Sequence, residues 1–270
     1  GNASYSKPIL GSEESVKSLE IKDLENFHSK HYAREKICIA IAGKLNEDLY
    51  EVFEESNLSG IDKIKPQNKS HQIKSKTINK NLIAKIGREE IVFDKLELSR
   101  IFMAWTIPSL NDQKTIIGLE ILASILSVGR NSRLVKALKE DQNLVESIYV
   151  DINAGELGGL LIIEACCDNK DLKIVEKIIN EKIREILNYE NLTFNEIRKA
   201  KNIVKSNYIF NLETATQISA FYGNELLWGR KNSINKIETC LDYWDDLNNF
   251  KEIIKFISRD RYTLIASTRE

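Results

Sequence analysis

Apolar positions recur mostly three and four residues apart along this chain, with a few short stretches that alternate every second residue. That pattern predicts a helix-rich chain with a small number of strands between the helices. From Asp171 to Leu187, Leu172, Val175, Ile178, Ile179, Ile183 and Ile186 form one stripe with Lys and Glu opposite, the signature of an amphipathic helix. Thr193 followed by Glu196 reads as a capping box that opens another long helix through Phe210. The sequon Asn191-Leu-Thr193 overlaps it and is better explained by the cap. Strands are predicted at Lys36 to Gly43, Leu98 to Ile107, Ser147 to Ile152, Leu157 to Cys167 and Arg261 to Ser267, all short and rich in β-branched or aromatic residues. Ile101, Met103, Trp105 and Ile107 alternate onto one face, which makes them core.

Composition narrows the class. A chain of 270 residues corresponds to one or two domains at about 150 residues each, and 42% hydrophobic with 29% charged residues places it among globular proteins. A net charge of -1 gives no field that would steer it to nucleic acid. The longest apolar stretches, Ile37 to Ala42 and Leu157 to Cys167, are too short to span a bilayer, and Glu164 interrupts the second. Cys38, Cys166, Cys167 and Cys240 fit neither a disulfide framework nor a Cys-x-x-Cys zinc site, so a reducing compartment and a cytoplasmic setting are favoured. A chain that starts at Gly1 rather than Met reads as a fragment, and targeting is not legible from it. Between residues 59 and 81 the composition shifts to lysine, Asn and Gln with Pro66 and no aromatic, the mark of a basic linker.

The chain also repeats itself. Asp23-Leu-Glu-Asn-Phe27 and Asp246-Leu-Asn-Asn-Phe250 each open a helix that leads into a strand signal, at an offset of 223 residues. At that offset Ile39 falls on Tyr262 and Ile41 on Leu264, in the same pleat phase. A duplicated α/β unit is expected, with the tail of one copy and nearly all of a second in this chain.

Several segments resemble the pitrilysin/insulinase family of zinc metallopeptidases, the processing-peptidase group in particular. Tyr5-Ser-Lys-Pro-Ile-Leu-Gly11 is similar to a segment near the end of the family's first domain, and Phe27-His-Ser-Lys-His-Tyr32 with Ile37 to Gly43 resembles the helix and strand that close it. Gly129-Arg-Asn-Ser-Arg-Leu134 and Ala137 to Leu144 resemble the glycine turn and helix of the second domain, and Ala154-Gly155 to Ala165 its next hairpin. The resemblance implies an α+β fold with helices packed on a mainly antiparallel sheet. Residues 1–58 would be the tail of the first domain, 59–81 the linker, and 82–270 the second domain, which does not bind zinc.

The family's zinc motif, His-x-x-Glu-His, is absent. His28 and His31 lack an intervening acid, His71 stands in the linker, and no residue of this chain is expected to ligate metal; zinc would be held by the rest of a full-length protein or by a partner. The bland account of the helix pair is that one His packs with Tyr32 while the other faces solvent. Active relatives supply an Arg and a Tyr seven residues apart to stabilise the oxyanion, and those places fall on Lys139 and Glu146. A carboxylate at Glu146 would oppose an oxyanion, so an exposed helix lysine and a strand-edge glutamate is the favoured account. Gly129 to Arg133 lacks the ending of a phosphate loop and reads as a glycine turn with Asn131 or Ser132 as helix cap.

The resemblance thus implies the C-terminal part of a metalloendopeptidase acting on peptides or unfolded proteins. The chain would close the chamber and support substrate binding while lacking activity alone. Its partners would be peptide substrate and its own N-terminal domain or a homologous subunit, with no nucleic acid and no membrane. The alternative is a non-catalytic family member that scaffolds or regulates an active partner.

Overall fold

A computed structural model describes residues 7–32, 37–56, 85–188, 191–227, 229 and 233–269. They divide into two compact units, one formed within Ile78–Asn207 and Ile234–Glu270, the other within Asn2–Thr77 and Tyr208–Ser233. The linker reading falls on residues 59–81, outside the described residues, as does His71. Among the described residues no helix is long and apolar enough to cross a membrane.

The larger unit is built on a five-stranded sheet in the order β1-β5-β2-β4-β3, with β1 Gly87–Phe93, β2 Ser99–Ile107, β3 Ser147–Ala154, β4 Gly159–Cys167 and β5 Tyr262–Thr268. Only β1 and β5 run parallel; every other pair is antiparallel, so the expected α+β architecture is the one observed. β1 escaped the sequence reading because Arg88, Glu89 and Glu90 break the apolar alternation that marks a half-buried strand.

The core of this unit lies on one face of the sheet. Ile101, Met103, Trp105 and Ile107 of β2 are at most 4% exposed, as expected from their alternation, and Leu161, Ile163 and Ala165 of β4 continue the same layer. Burying each large side chain contributes roughly 1.5–3 kcal/mol. Helices α4 Gln113–Ser127, α6 Leu172–Leu187 and α10 Phe250–Ile257 pack on this sheet. Helix α6 buries Val175, Ile178, Ile179, Ile183 and Ile186, the stripe read from sequence. Helix α7, Phe194–Phe210, opens with the expected capping box: the Thr193 N–H donates to Glu196 Oε2 (3.0 Å) and the Glu196 N–H to Thr193 Oγ1 (3.2 Å). In α4, Gly118 leaves room for the Trp244 indole, which is fully buried and donates to Lys114 O at 3.1 Å. Trp244 follows α9, Ser233–Tyr243.

The smaller unit contains α1 Glu13–Lys17, α2 Ile21–His31, α3 Leu49–Glu55 and α8 Ala215–Leu227. Neither α1, α2 nor α8 has a buried residue, and Ile9, Leu10, Leu24 and Phe27 are largely exposed. Within this unit the chain at Ala40 runs close to α8, where a Cβ on Gly223 would stand 3.1 Å from the Ala40 methyl.

One sequence expectation needs correction here. Residues 37–43 form no strand among the described residues, although Ile37, Ile39 and Ile41 alternate as one. A strand exists only with a hydrogen-bonding neighbour, and this segment has none among the described residues. The two Asp-Leu-x-Asn-Phe segments also enter their helices differently. Asp23 lies inside α2, whereas Asp246 caps a short 3-10 turn, Leu247–Asn249, before α10 begins at Phe250.

Candidate functional site

The segment that carries both expected site residues begins where α4 ends. Gly129, at φ 86°, makes a turn that a side chain would strain, and Ser132 then takes the N-cap position of the short helix α5, Arg133–Val135. Ser132, rather than Asn131, is thus the N-cap residue of the two offered by the sequence, but its hydroxyl donates back to Gly129 O at 2.7 Å and makes no capping hydrogen bond to the helix. Arg133 is the anchor. Its Nε and Nη2 donate to the two carboxylate oxygens of Glu196 (2.8 and 3.1 Å), and Nη2 also reaches Asn191 O, fastening α5 to the start of α7. Burial pushes the Glu196 carboxyl up, but donors from Arg133 and Thr193 more than offset it and hold the group below its ordinary value.

Helix α5 widens into a π turn, Lys136–Glu140. It closes on Asn143 at φ 49°, with the Leu144 N–H donating to Leu138 O at 2.8 Å. Asparagine tolerates that left-handed conformation better than most side chains. The wide turn brings Lys139 back over the start of β3, where its Nζ donates to Glu146 O at 2.7 Å. There the residue just before β3 and the first residue of β3 both face one residue of β4: the Glu146 N–H donates to Cys166 O at 2.8 Å while Ser147 is the register partner of Cys166. The result is a β-bulge, which re-aims the Glu146 side chain toward the Cys166 thiol (Sγ to Oε2, 3.9 Å). Lys139 and Glu146 are therefore neighbours, but the ammonium holds a backbone carbonyl and the carboxylate faces a thiol.

The rest of the site was not legible in advance. On the side of the sheet opposite the core, Phe102, Glu164 and Tyr149 form one row across β2, β4 and β3, and Ala104, Ile162 and Asp151 form the next. A shallow cavity is lined by Phe102, Tyr149, Asp151, Ile162 and Glu164. Arg100 pairs with Glu164 on the same face, and that hydrogen bond is the main reason its guanidinium binds its proton more firmly. Burial pushes the Cys166 thiol up, against the pull of Arg100, and pushes Cys167 up to about 12. The signal for this face was present in the even-numbered residues of Ser99 to Ile107, between the core positions. The outer edge of β3 is partly blocked: the Val150 N–H donates to the Ser127 hydroxyl at the end of α4 (3.0 Å).

No cluster of three or more His, Cys, Asp or Glu capable of holding a metal occurs among the described residues. On α2 the His28 ring stacks on Tyr32 (centroids 4.9 Å), the pairing expected of one histidine, and the His31 ring tilts against Phe27 (4.4 Å); both histidines remain exposed.

The family model described as the Peptidase M16 inactive domain matches residues 18–204. The chain belongs to the peptidase M16 family, of pitrilysin/insulinase type. It is 24% identical over 246 residues to the uncharacterized zinc protease YmxG of Bacillus subtilis (88% of this chain, 55% of that protein). It is also 24% identical over 257 residues to the mitochondrial-processing peptidase subunit beta of Bos taurus (89% and 49%). The chain spans about half the length of the curated relatives it matches. Its fold resembles that of a protease from Helicobacter pylori (TM-score 0.73, 15% identity, 96% of this chain and 61% of that one). A chain of complex III2 from Candida albicans is similar to the same degree (TM-score 0.74, 18% identity, 98% and 63%).

Proposed function

We propose that this M16 chain is the C-terminal part of a zinc-dependent metalloendopeptidase that cleaves peptides or unfolded proteins, and that its role is to close the chamber and hold substrate. The observation that carries the reading is the half-buried side of the sheet opposite the core of the larger unit. Phe102, Ile162 and Tyr149 offer apolar and aromatic surface there, and Arg100, Glu164 and Asp151 offer charge, a combination that suits an extended peptide of mixed composition. Because Ser127 blocks the β3 edge at Val150, the peptide would lie across the face rather than extend the sheet. The exposed apolar residues of α1 and α2 support a second partner, the protein's own N-terminal domain or a homologous subunit. Zinc would be held outside this chain, where it would activate the attacking water.

Lys139 in this reading is a positioning residue, since its ammonium already holds Glu146 O. That arrangement, with a carboxylate at 146, also favours a second reading: a non-catalytic member that scaffolds or regulates an active partner. The test uses the full-length protein, assayed for zinc content and for cleavage of an unstructured peptide with and without chelator. Under the enzyme reading, Tyr149→Ala and Phe102→Ala raise KM severalfold at unchanged zinc content. Lys139→Ala leaves kcat within a few-fold, whereas loss of an oxyanion donor would lower it about 100-fold. Peptide binding without zinc and without cleavage would establish the scaffold reading instead.

A further inference from the structure

Strand β1 is an edge strand whose outer side has no partner among the described residues. The Gly87 N–H donates to Arg261 O at 3.2 Å, so in this parallel pair residues 87, 89, 91 and 93 point their backbone groups at β5. The N–H and C=O of Arg88, Glu90 and Val92 then point outward, a ready template for another strand. The side chains there are apolar as well as charged: Ile91, Val92 and Phe93 are 37%, 61% and 46% exposed. We propose that a second copy of this chain pairs antiparallel with β1 about a two-fold axis at Ile91, joining two five-stranded sheets into one continuous sheet.

Charge selects both the partner and the register. Centred on Ile91, the pairing sets Arg88 opposite the second copy's Asp94, twice by symmetry, with Glu89 facing Phe93 and Glu90 facing Val92. No like charges oppose one another. Shifting the axis to Glu90 places Glu90 against Glu90, and shifting it to Val92 places Glu90 against Asp94, twice. Opposite charges across an antiparallel pair stabilise and like charges destabilise. The Ile91 register also places the outward-facing Glu90 and Val92 opposite each other, so they can exchange backbone hydrogen bonds. Neither Arg88, which contacts Glu90 and Glu176 within its own chain, nor Asp94, which contacts Arg269, is buried, so each can turn to the second copy at little cost.

The experiment is sedimentation velocity of the chain over a concentration series, with two sets of variants. Arg88→Glu should weaken the dimer about tenfold, because two favourable pairs become repulsive, and Arg88→Glu with Asp94→Arg should restore it. Residues at a non-hydrogen-bonded site on the axis come within disulfide reach, so Ile91→Cys should form a covalent dimer under mild oxidation. Glu89→Cys, two residues off the axis, should crosslink no faster than the parent chain with its native cysteines. A monomer at every concentration, or Ile91→Cys crosslinking no faster than Glu89→Cys, would overturn the proposal. A dimer indifferent to Arg88→Glu would do so as well.

Discussion

Substituting Gly118 by Ala tests how closely α4 packs against Trp244 and Ile253. A Cβ at this position of α4 would stand 2.5 Å from Trp244 Cζ2, 2.7 Å from Trp244 Cε2 and 2.7 Å from Ile253 Cδ1, inside van der Waals contact with a ring that has no exposed surface. Overpacking of this kind costs about 1–3 kcal/mol. If the indole moves, its hydrogen bond to Lys114 O is also weakened, worth about 1 kcal/mol. Alanine's better helix propensity returns about 1 kcal/mol. The net expectation is a loss of about 2 kcal/mol, read as a lower urea midpoint by far-ultraviolet circular dichroism with the slope unchanged. The smaller ring of Trp244→Phe should relieve the indole part of the clash and leave only the approach to Ile253, so Gly118→Ala should cost at most about 1 kcal/mol in that background, a coupling of about 1–2 kcal/mol. A Gly118→Ala protein as stable as the parent, or one that loses the same amount in both backgrounds, would refute the packing argument.

Four further outcomes are expected. Glu196→Gln should destabilise the chain at neutral pH. Since the folded carboxyl titrates below its unfolded value of about 4.3, the advantage of the parent is full above that pH and disappears as pH falls through the folded value, which paired denaturation curves from neutral to acid pH would show. Cys167, 2% exposed with its thiol pushed up to about 12, should resist alkylation at mildly alkaline pH until the chain unfolds. Because its folded value is raised, it favours the folded state fully below the unfolded thiol value of about 8.5, and that contribution fades as pH rises toward 12; Cys167→Ala should flatten this alkaline loss. The isolated chain should bind no stoichiometric zinc by elemental analysis, and full occupancy with chelator-sensitive peptide cleavage would contradict the reading of its histidines.

The sequence by itself determined the elements whose periodicity is set by burial on one side. The α6 stripe, the β2 alternation and the Thr193–Glu196 cap follow from local spacing because each is a pattern within a few residues of the chain. The family's motifs were legible for the same reason, as short runs with fixed spacing, and they led to the fold class and to Lys139 and Glu146. Tertiary structure alone decided what those two residues do. A π turn and a bulge, neither marked by composition, put the Lys139 ammonium on a carbonyl and the Glu146 carboxylate beside Cys166. Strands also depend on neighbours in a way that helices do not. Residues 37–43 have the alternation of a strand but no ladder among the described residues, while β1, half charged, becomes a strand because β5 supplies its hydrogen bonds. The face formed by Phe102, Tyr149 and Glu164 was hidden for the same reason: it exists only when β2 is brought into register with the β3–β4 hairpin, which begins 40 residues after β2 ends.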